Sequence, residues 1–286
     1  MKKLRHHNDD AFNIEVSNLK RFSAKDHLHL IKLLVTYSWR EHYYLLFPCA
    51  DGNLKDFWNE FPCPSTPKRD YQLTLWFVKQ CLGIAEGLKM IHTLDMPDTE
   101  DLDPTAARQT HGRHGDLKPE NILWFREYQD KDPSCQGVLK ISDFGLTRFH
   151  GTISYSRINA ETVAVTGTYR APEYDIKKMI SQSYDIWTLG CVFLEFVTWY
   201  LLGWEEVDKF SKSRMEEHVS EIKEDVFFNF VNMVDDRGQT HTGALAKTSV
   251  ANVCSMGVFQ TIPHEANYTL SRNSKAFISA PTALTL

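Results

Sequence analysis

His114-Gly-Asp-Leu-Lys-Pro-Glu-Asn121 follows a long amphipathic stretch and immediately precedes a short apolar one. Its spacing gathers three chemistries in one tight loop. Asp116 can accept a proton from an attacking hydroxyl, Lys118 can neutralise a transferring phosphoryl group, and Asn121 can hold a hard divalent cation through its amide oxygen. Further along, Asp143-Phe-Gly145 comes directly after the apolar run Val138–Ile141 and offers a second oxygen ligand of the kind Mg²⁺ requires. Gly167-Thr-Tyr-Arg-Ala-Pro-Glu173 is next, and Ser183-Tyr-Asp-Ile-Trp-Thr-Leu-Gly190 then opens a long apolar segment.

Working outward, Phe12, Val16 and Leu19 fall at helical spacing with Glu15 among them. Residues 28–36 and 43–47 are short, apolar and partly β-branched or aromatic, which predicts two strands around a polar turn at 38–42. Asp51-Gly-Asn53 is a turn signal, after which 54–61 reads as a short helix ended by Pro62 and Pro64. A strong helix is predicted over 73–94, where Leu75, Val78, Leu82, Ala85, Leu88 and Ile91 recur every three or four residues. Short strands are expected around 121–125, 138–141 and 162–165, and mostly helix beyond. Residues 95–112 and 126–137 read as inserted surface loops. The stretch 251–286 has no sustained period and is left without assigned structure.

Composition narrows the function classes. The chain has 286 residues, 42% hydrophobic and 24% charged, enough for one large or two smaller domains with a real core. Its 32 basic against 37 acidic residues give a net charge of −5, which argues against a nucleic-acid partner held on a basic face. The six cysteines are widely spaced with no Cys-x-x-Cys pair, the usage of a reducing, intracellular and cytoplasmic compartment. No apolar stretch follows the basic start, so no secretory signal is expected. Ile186–Trp204 is long enough to cross a bilayer, but it carries Glu195, with Asp185 just before it. A carboxylate at the bilayer centre costs about 2.5–3.5 kcal/mol. A buried core helix and no membrane partner are therefore expected.

The four sequence blocks, in this order, resemble the eukaryotic protein kinase superfamily. One block alone would be weak; four in order, each in its strand–loop–helix context, are specific. The resemblance implies an α+β bilobal fold: a partial, β-rich N-lobe over 1–50, a mainly helical C-lobe over 51–250, and a tail over 251–286. It further implies ATP and Mg²⁺ as cofactors and transfer of the γ-phosphate to Ser or Thr hydroxyls of protein substrates. Lys118 and Thr168 match the serine/threonine pattern. By the same resemblance Asp116 is the catalytic base, Lys118 the phosphate-stabilising cation, and Asn121 and Asp143 the metal ligands. Glu15 takes the place of the regulatory-helix glutamate and Leu46 that of the residue behind the adenine. His114, Phe144, Leu19 and Leu33 match the hydrophobic stack joining the lobes, and Asp185 matches a carboxylate that accepts backbone N–H groups of the catalytic loop. The phrase Tyr44–Leu54 is also similar to kinase-like proteins of filamentous fungi.

Departures from the pattern leave alternatives open. No Gly-x-Gly-x-x-Gly precedes Glu15, so an incomplete N-lobe is expected. Lys2 is either the lysine that pairs with Glu15 and the nucleotide phosphates or an ordinary basic residue near the start. Glu15 is either its partner or an exposed helix carboxylate. Gly115 stands where the family usually has arginine, so phosphate on Thr152, Ser154, Ser156 or Thr162 would lack that partner. The two functional readings are an active serine/threonine kinase and a catalytically impaired pseudokinase or truncated kinase fragment acting as a binding module.

Overall fold

The computed structural model describes residues 1–3, 16, 19–20, 23, 26–40, 42–62, 71–93, 111–126, 136–144, 148–150, 167–177, 181–219, 221, 223–234, 238–260 and 283–284. Near the N-terminus, β1 (Lys2–Lys3) pairs antiparallel with β3 (His42–Leu46), which pairs on its other side with β2 (Val35–Trp39). Leu45 on β3 is fully buried and joins Val16 and Leu19 in the main core. The strand expected over 28–36 begins only at Val35. Leu30 instead makes an isolated parallel bridge to Ile141, so the chain before β2 joins the second lobe rather than the small sheet.

The second lobe is entered through β4 (Gly52–Asn53) and α1 (Leu54–Glu60). Asn53 caps the helix: its side-chain oxygen accepts from the Lys55 and Asp56 amides at 2.9 and 3.1 Å, while Asp56 accepts from the Asn53 amide at 2.9 Å. This reciprocal box satisfies helix-start donors that would otherwise be orphaned. Within the Asp51–Asn53 turn signal, Gly52 and Asn53 form a short strand paired with β6 (Ile122–Phe125). Phe57 on α1 sits among Phe61, Trp76, Trp124 and Trp199, with ring centroids 5.0 to 5.2 Å apart. Large aromatics tilted on one another each bury a large apolar surface.

Helix α2 (Tyr71–Thr93) presents Trp76, Gln80, Gly83, Ile84, Gly87, Leu88 and Ile91 to the interior. Strand β6 pairs with β7 (Val138–Ile141), all of whose residues are buried. Strand β5 (His111–Arg113) pairs with β8 (Arg148–His150). After α3 (Pro172–Lys177), helix α4 (Gln182–Leu202) runs through the lobe and is followed by α5 (Trp204–Glu216). Helix α4 is long and apolar enough to cross a membrane by length and composition. Both of its carboxylates, Asp185 and Glu195, are instead buried against partners within the lobe, as an axle helix requires.

Two expectations are corrected. The chain beyond Val165 is not mostly helical throughout: β9 (Phe228–Val234) and β10 (Thr240–Ala246) form an antiparallel hairpin, and β11 (Ala283–Leu284) pairs with β10. The alternation in Phe228-Asn-Phe-Val-Asn-Met-Val234 carries that strand signal. Helix α6 (Thr248–Gln260) runs past residue 250, with Val250 and Val253 in the main core. The strand expected at 162–165 lies outside the described residues.

Between α5 and the hairpin sits a buried ionic network. Arg214 is fully buried, donates to Glu195 at 2.7 Å and Asp225 at 2.6 Å, and lies over the Phe210 and Phe227 rings. The Tyr169 hydroxyl donates to Glu195 at 2.8 Å. Nearby, the buried Lys247 amine donates to the Arg214 carbonyl at 2.5 Å, and burial pulls its pKa down to about 8. The unfolded chain therefore holds that proton at higher pH than the folded one, so Lys247 makes stability rise as pH climbs from about 8 towards 10.5. The melting-temperature gap between wild type and Lys247→Met should widen over that window. A gap independent of pH would show that the amine does not titrate as described.

Candidate active site

The loop after β5 is fixed from below by one carboxylate. Asp185, fully buried near the start of α4, accepts the His114 amide at 2.7 Å and the Gly115 amide at 2.8 Å. Its third donor is His92 Nε2 at 2.9 Å, from the last turn of α2. A carboxylate can only accept, so that ring nitrogen carries the proton. Gln182 donates to the His92 and Gly112 carbonyls at 2.8 and 3.0 Å, tying the same two segments together. The expected role of Asp185 is thus met by its geometry. His92 and Gln182 are not legible as members of the site, because a polar residue at a helix terminus gives no sign of which distant segment it meets.

At Gly115 the backbone has φ +84°. A side chain is strained in this left-handed region, whereas glycine adopts it freely. Gly115 therefore relieves the turn that presents Asp116, besides omitting a guanidinium. Gly115→Ala should cost about 1–3 kcal/mol in an equilibrium denaturation measurement. An unchanged midpoint would contradict the strained-turn account.

Above that turn the three predicted residues converge. Lys118 Nζ lies 2.8 Å from Asp116 Oδ2. Asn121 Nδ2 donates to the same oxygen at 3.0 Å and to the Asp116 carbonyl at 2.7 Å. That spends the amide nitrogen of Asn121 on the loop and leaves its Oδ1 with no hydrogen-bond donor among the described residues. A one-turn 3-10 helix, Pro119–Asn121, makes this return possible.

Asp143 is held against the same loop through its neighbour. The Ser142 amide and hydroxyl both donate to the Asn121 carbonyl, at 2.8 and 2.9 Å. His114 closes the circuit. Its Nδ1 accepts the Asp116 amide at 3.2 Å, so Nε2 is protonated and donates to the Ser142 carbonyl at 2.8 Å. Asp143 itself is exposed with φ +61°, a region uncommon for residues with side chains but one that Asp tolerates better than most. Phe144 turns inward, fully buried, with its ring edge-on to His114 at 5.6 Å. Leu19 is buried and Leu33 packs beside the same core, so all four expected stack residues touch one apolar cluster or each other.

The remaining candidates fare differently. Leu46 stands opposite Val35 and is 36% exposed, while Leu45 and Phe47 pack into or against the core. Lys2 stands opposite Leu45 in the small sheet. Glu15, its expected partner, lies outside the described residues, as do Gly145 and the four candidate phosphorylation positions.

Among the described residues there is no group of three or more His, Cys, Asp or Glu side chains suited to a metal. The site offers an exposed carboxylate and a free amide oxygen instead. Such an all-oxygen pair suits a hard divalent cation.

Residues 1–240 match the family model described as the protein kinase domain. The chain belongs to that family. It is similar to cyclin-dependent kinase 4 of Xenopus laevis, with 30% identity over 186 residues, covering 63% of this chain and 47% of that protein. It is also similar to cyclin-dependent kinase 7 of Dictyostelium discoideum, with 41% identity over 102 residues, covering 35% and 25%. With serine/threonine-protein kinase AFC2 of Arabidopsis thaliana it shares 25% identity over 207 residues, covering 66% and 42%. The chain spans about half or less of the length of these curated relatives.

Proposed function

We propose that the chain transfers the γ-phosphate of ATP, bound with Mg²⁺, to serine or threonine hydroxyls of protein substrates. The observation carrying this reading is the convergence of Lys118 and Asn121 on Asp116, with Ser142 holding the Asp143 segment to Asn121. Mg²⁺-ATP supplies the transferable phosphoryl group and much of its charge neutralisation. Asn121 Oδ1 and the Asp143 carboxylate would hold the metal. Asp116 Oδ2 accepts the substrate hydroxyl proton, and Lys118 offsets charge on the transferring group once its contact with Asp116 loosens. The His114–Ser142 and Asp185 hydrogen bonds keep these groups aimed before substrate arrives, so little reorganisation is needed at the moment of transfer.

An intracellular location fits the four described cysteines, all free: Cys49, Cys81, Cys191 and Cys254. A thermal-shift titration tests the nucleotide and metal assignment. Mg²⁺-ATP at a hundredfold excess over Kd should add about 2.7 kcal/mol of stability. Each kcal/mol corresponds to about 2–4 °C for a domain of this order of size. The shift should need the divalent ion and vanish in Asp143→Ala. A shift indifferent to both would refute the assignment. Binding without phosphotransfer would favour the pseudokinase reading.

A further inference from the structure

The strand that delivers Asp143 is held along its outer edge by side chains as well as backbone. At Leu139 the amide donates to Gln80 Oε1 at 2.9 Å, and the carbonyl accepts from the ring of His29 at 2.8 Å. Two residues on, the Ile141 amide donates to the His29 carbonyl at 2.8 Å, and the Ile141 carbonyl accepts the Ile31 amide at 2.9 Å. The His29 ring lies against α2 at Gly83, where an added Cβ would overlap Nε2. The His29 amide donates in turn to Nδ1 of His27, at 3.2 Å. Leu139 and Ile141 are thus gripped by a segment from before β2, and the grip contains two imidazoles.

We propose that His29 is a positioning residue for the strand bearing Asp143, acting as a clasp that holds only while its imidazole and that of His27 are neutral. Its bearing on metal binding rests on the assignment of Asp143 above; the clasp itself does not. With Nδ1–H committed to Leu139, a second proton must enter at Nε2, which faces the Gly83 backbone and has no acceptor among the described residues. Protonating His27 at Nδ1 removes the acceptor for the His29 amide. The charged groups around the ring are His27 on its own segment, Glu86 on α2 and Lys140 on β7, with Asp26 and Lys32 acting on Lys140. Burial is the largest influence holding His29 below the usual histidine range, and His27 and Lys140 act the same way. The Leu139 carbonyl and Glu86 oppose them. The clasp therefore stays closed at neutral pH and opens only under acid conditions.

Amide hydrogen exchange reads the clasp without nucleotide. Protection factors at Ile31 and Ile141 should be level above about pH 7 and fall at least about tenfold between roughly pH 6.5 and 5, while Val192 in α4 stays level. In His29→Asn, whose amide can donate to Leu139 without titrating, most of that fall should disappear. A fall of equal size in the variant would overturn the proposal. The wild-type ring proton of His29, followed by NMR, gives a check that needs no variant. The loss of protection should set in above that ring's own titration midpoint and be nearly complete there, and a midpoint reached with protection intact would equally overturn it. Failure of phosphotransfer with a clasp that titrates as described would count against the proposed activity alone.

Discussion

In Asp116→Ala, phosphotransfer is expected to fall by about 10²–10⁴-fold, the range for loss of a general base, while Mg²⁺-ATP affinity is retained. The reason lies in the partners. Asp116 meets Lys118 and Asn121, and its proposed task concerns the substrate hydroxyl. Asp143→Ala should behave differently, weakening Mg²⁺-ATP binding and removing turnover together, because its exposed carboxylate has the metal as its proposed partner. Equilibrium binding and single-turnover rates on the two variants separate the roles. Equal loss of nucleotide affinity in both would show that the assignment of base and ligand is wrong.

The second large effect is structural. Asp185→Ala strands three donors, the His114 and Gly115 amides and His92 Nε2, in a site where the carboxylate is fully buried. Leaving a buried donor unsatisfied costs about 1–3 kcal/mol, so the three together should cost at least about 3 kcal/mol. Denaturant unfolding should show that loss. A variant within about 1 kcal/mol of wild type would mean that the loop is held by something other than this residue. Asp185→Asn should fall between the two, since its amide group turns a donor towards donors.

The first expectation can be framed from the sequence because Asp116, Lys118 and Asn121 sit in a short loop whose spacing dictates its geometry. Asp116, Lys118 and Asn121 span one tight turn, so their convergence follows from the chain itself. The Asp185 contacts were anticipated through family resemblance, since no local pattern reveals a bond to a loop far earlier in the chain. Long-range partners without a pattern stayed hidden: His92, Ser142 and Arg214 are ordinary polar residues until the fold brings acceptors to them. The β9–β10 hairpin departs from the helical expectation for this part of the chain, although the alternation of Phe228–Val234 carries its strand signal. His29 lay in a stretch read as strand, and its value comes from Gly83 on α2, a helix reached only after a long separation.

By this reading Asp116, Lys118, Asn121 and Asp143 form a working phosphotransfer site. It is tested most directly by incubating the protein with γ-labelled ATP, Mg²⁺ and a generic protein substrate, and then identifying the labelled amino acid. Label on serine or threonine, dependent on Mg²⁺ and lost in Asp116→Ala, is the predicted result. Absence of label from protein that demonstrably binds Mg²⁺-ATP, or label that persists in Asp116→Ala, would contradict it.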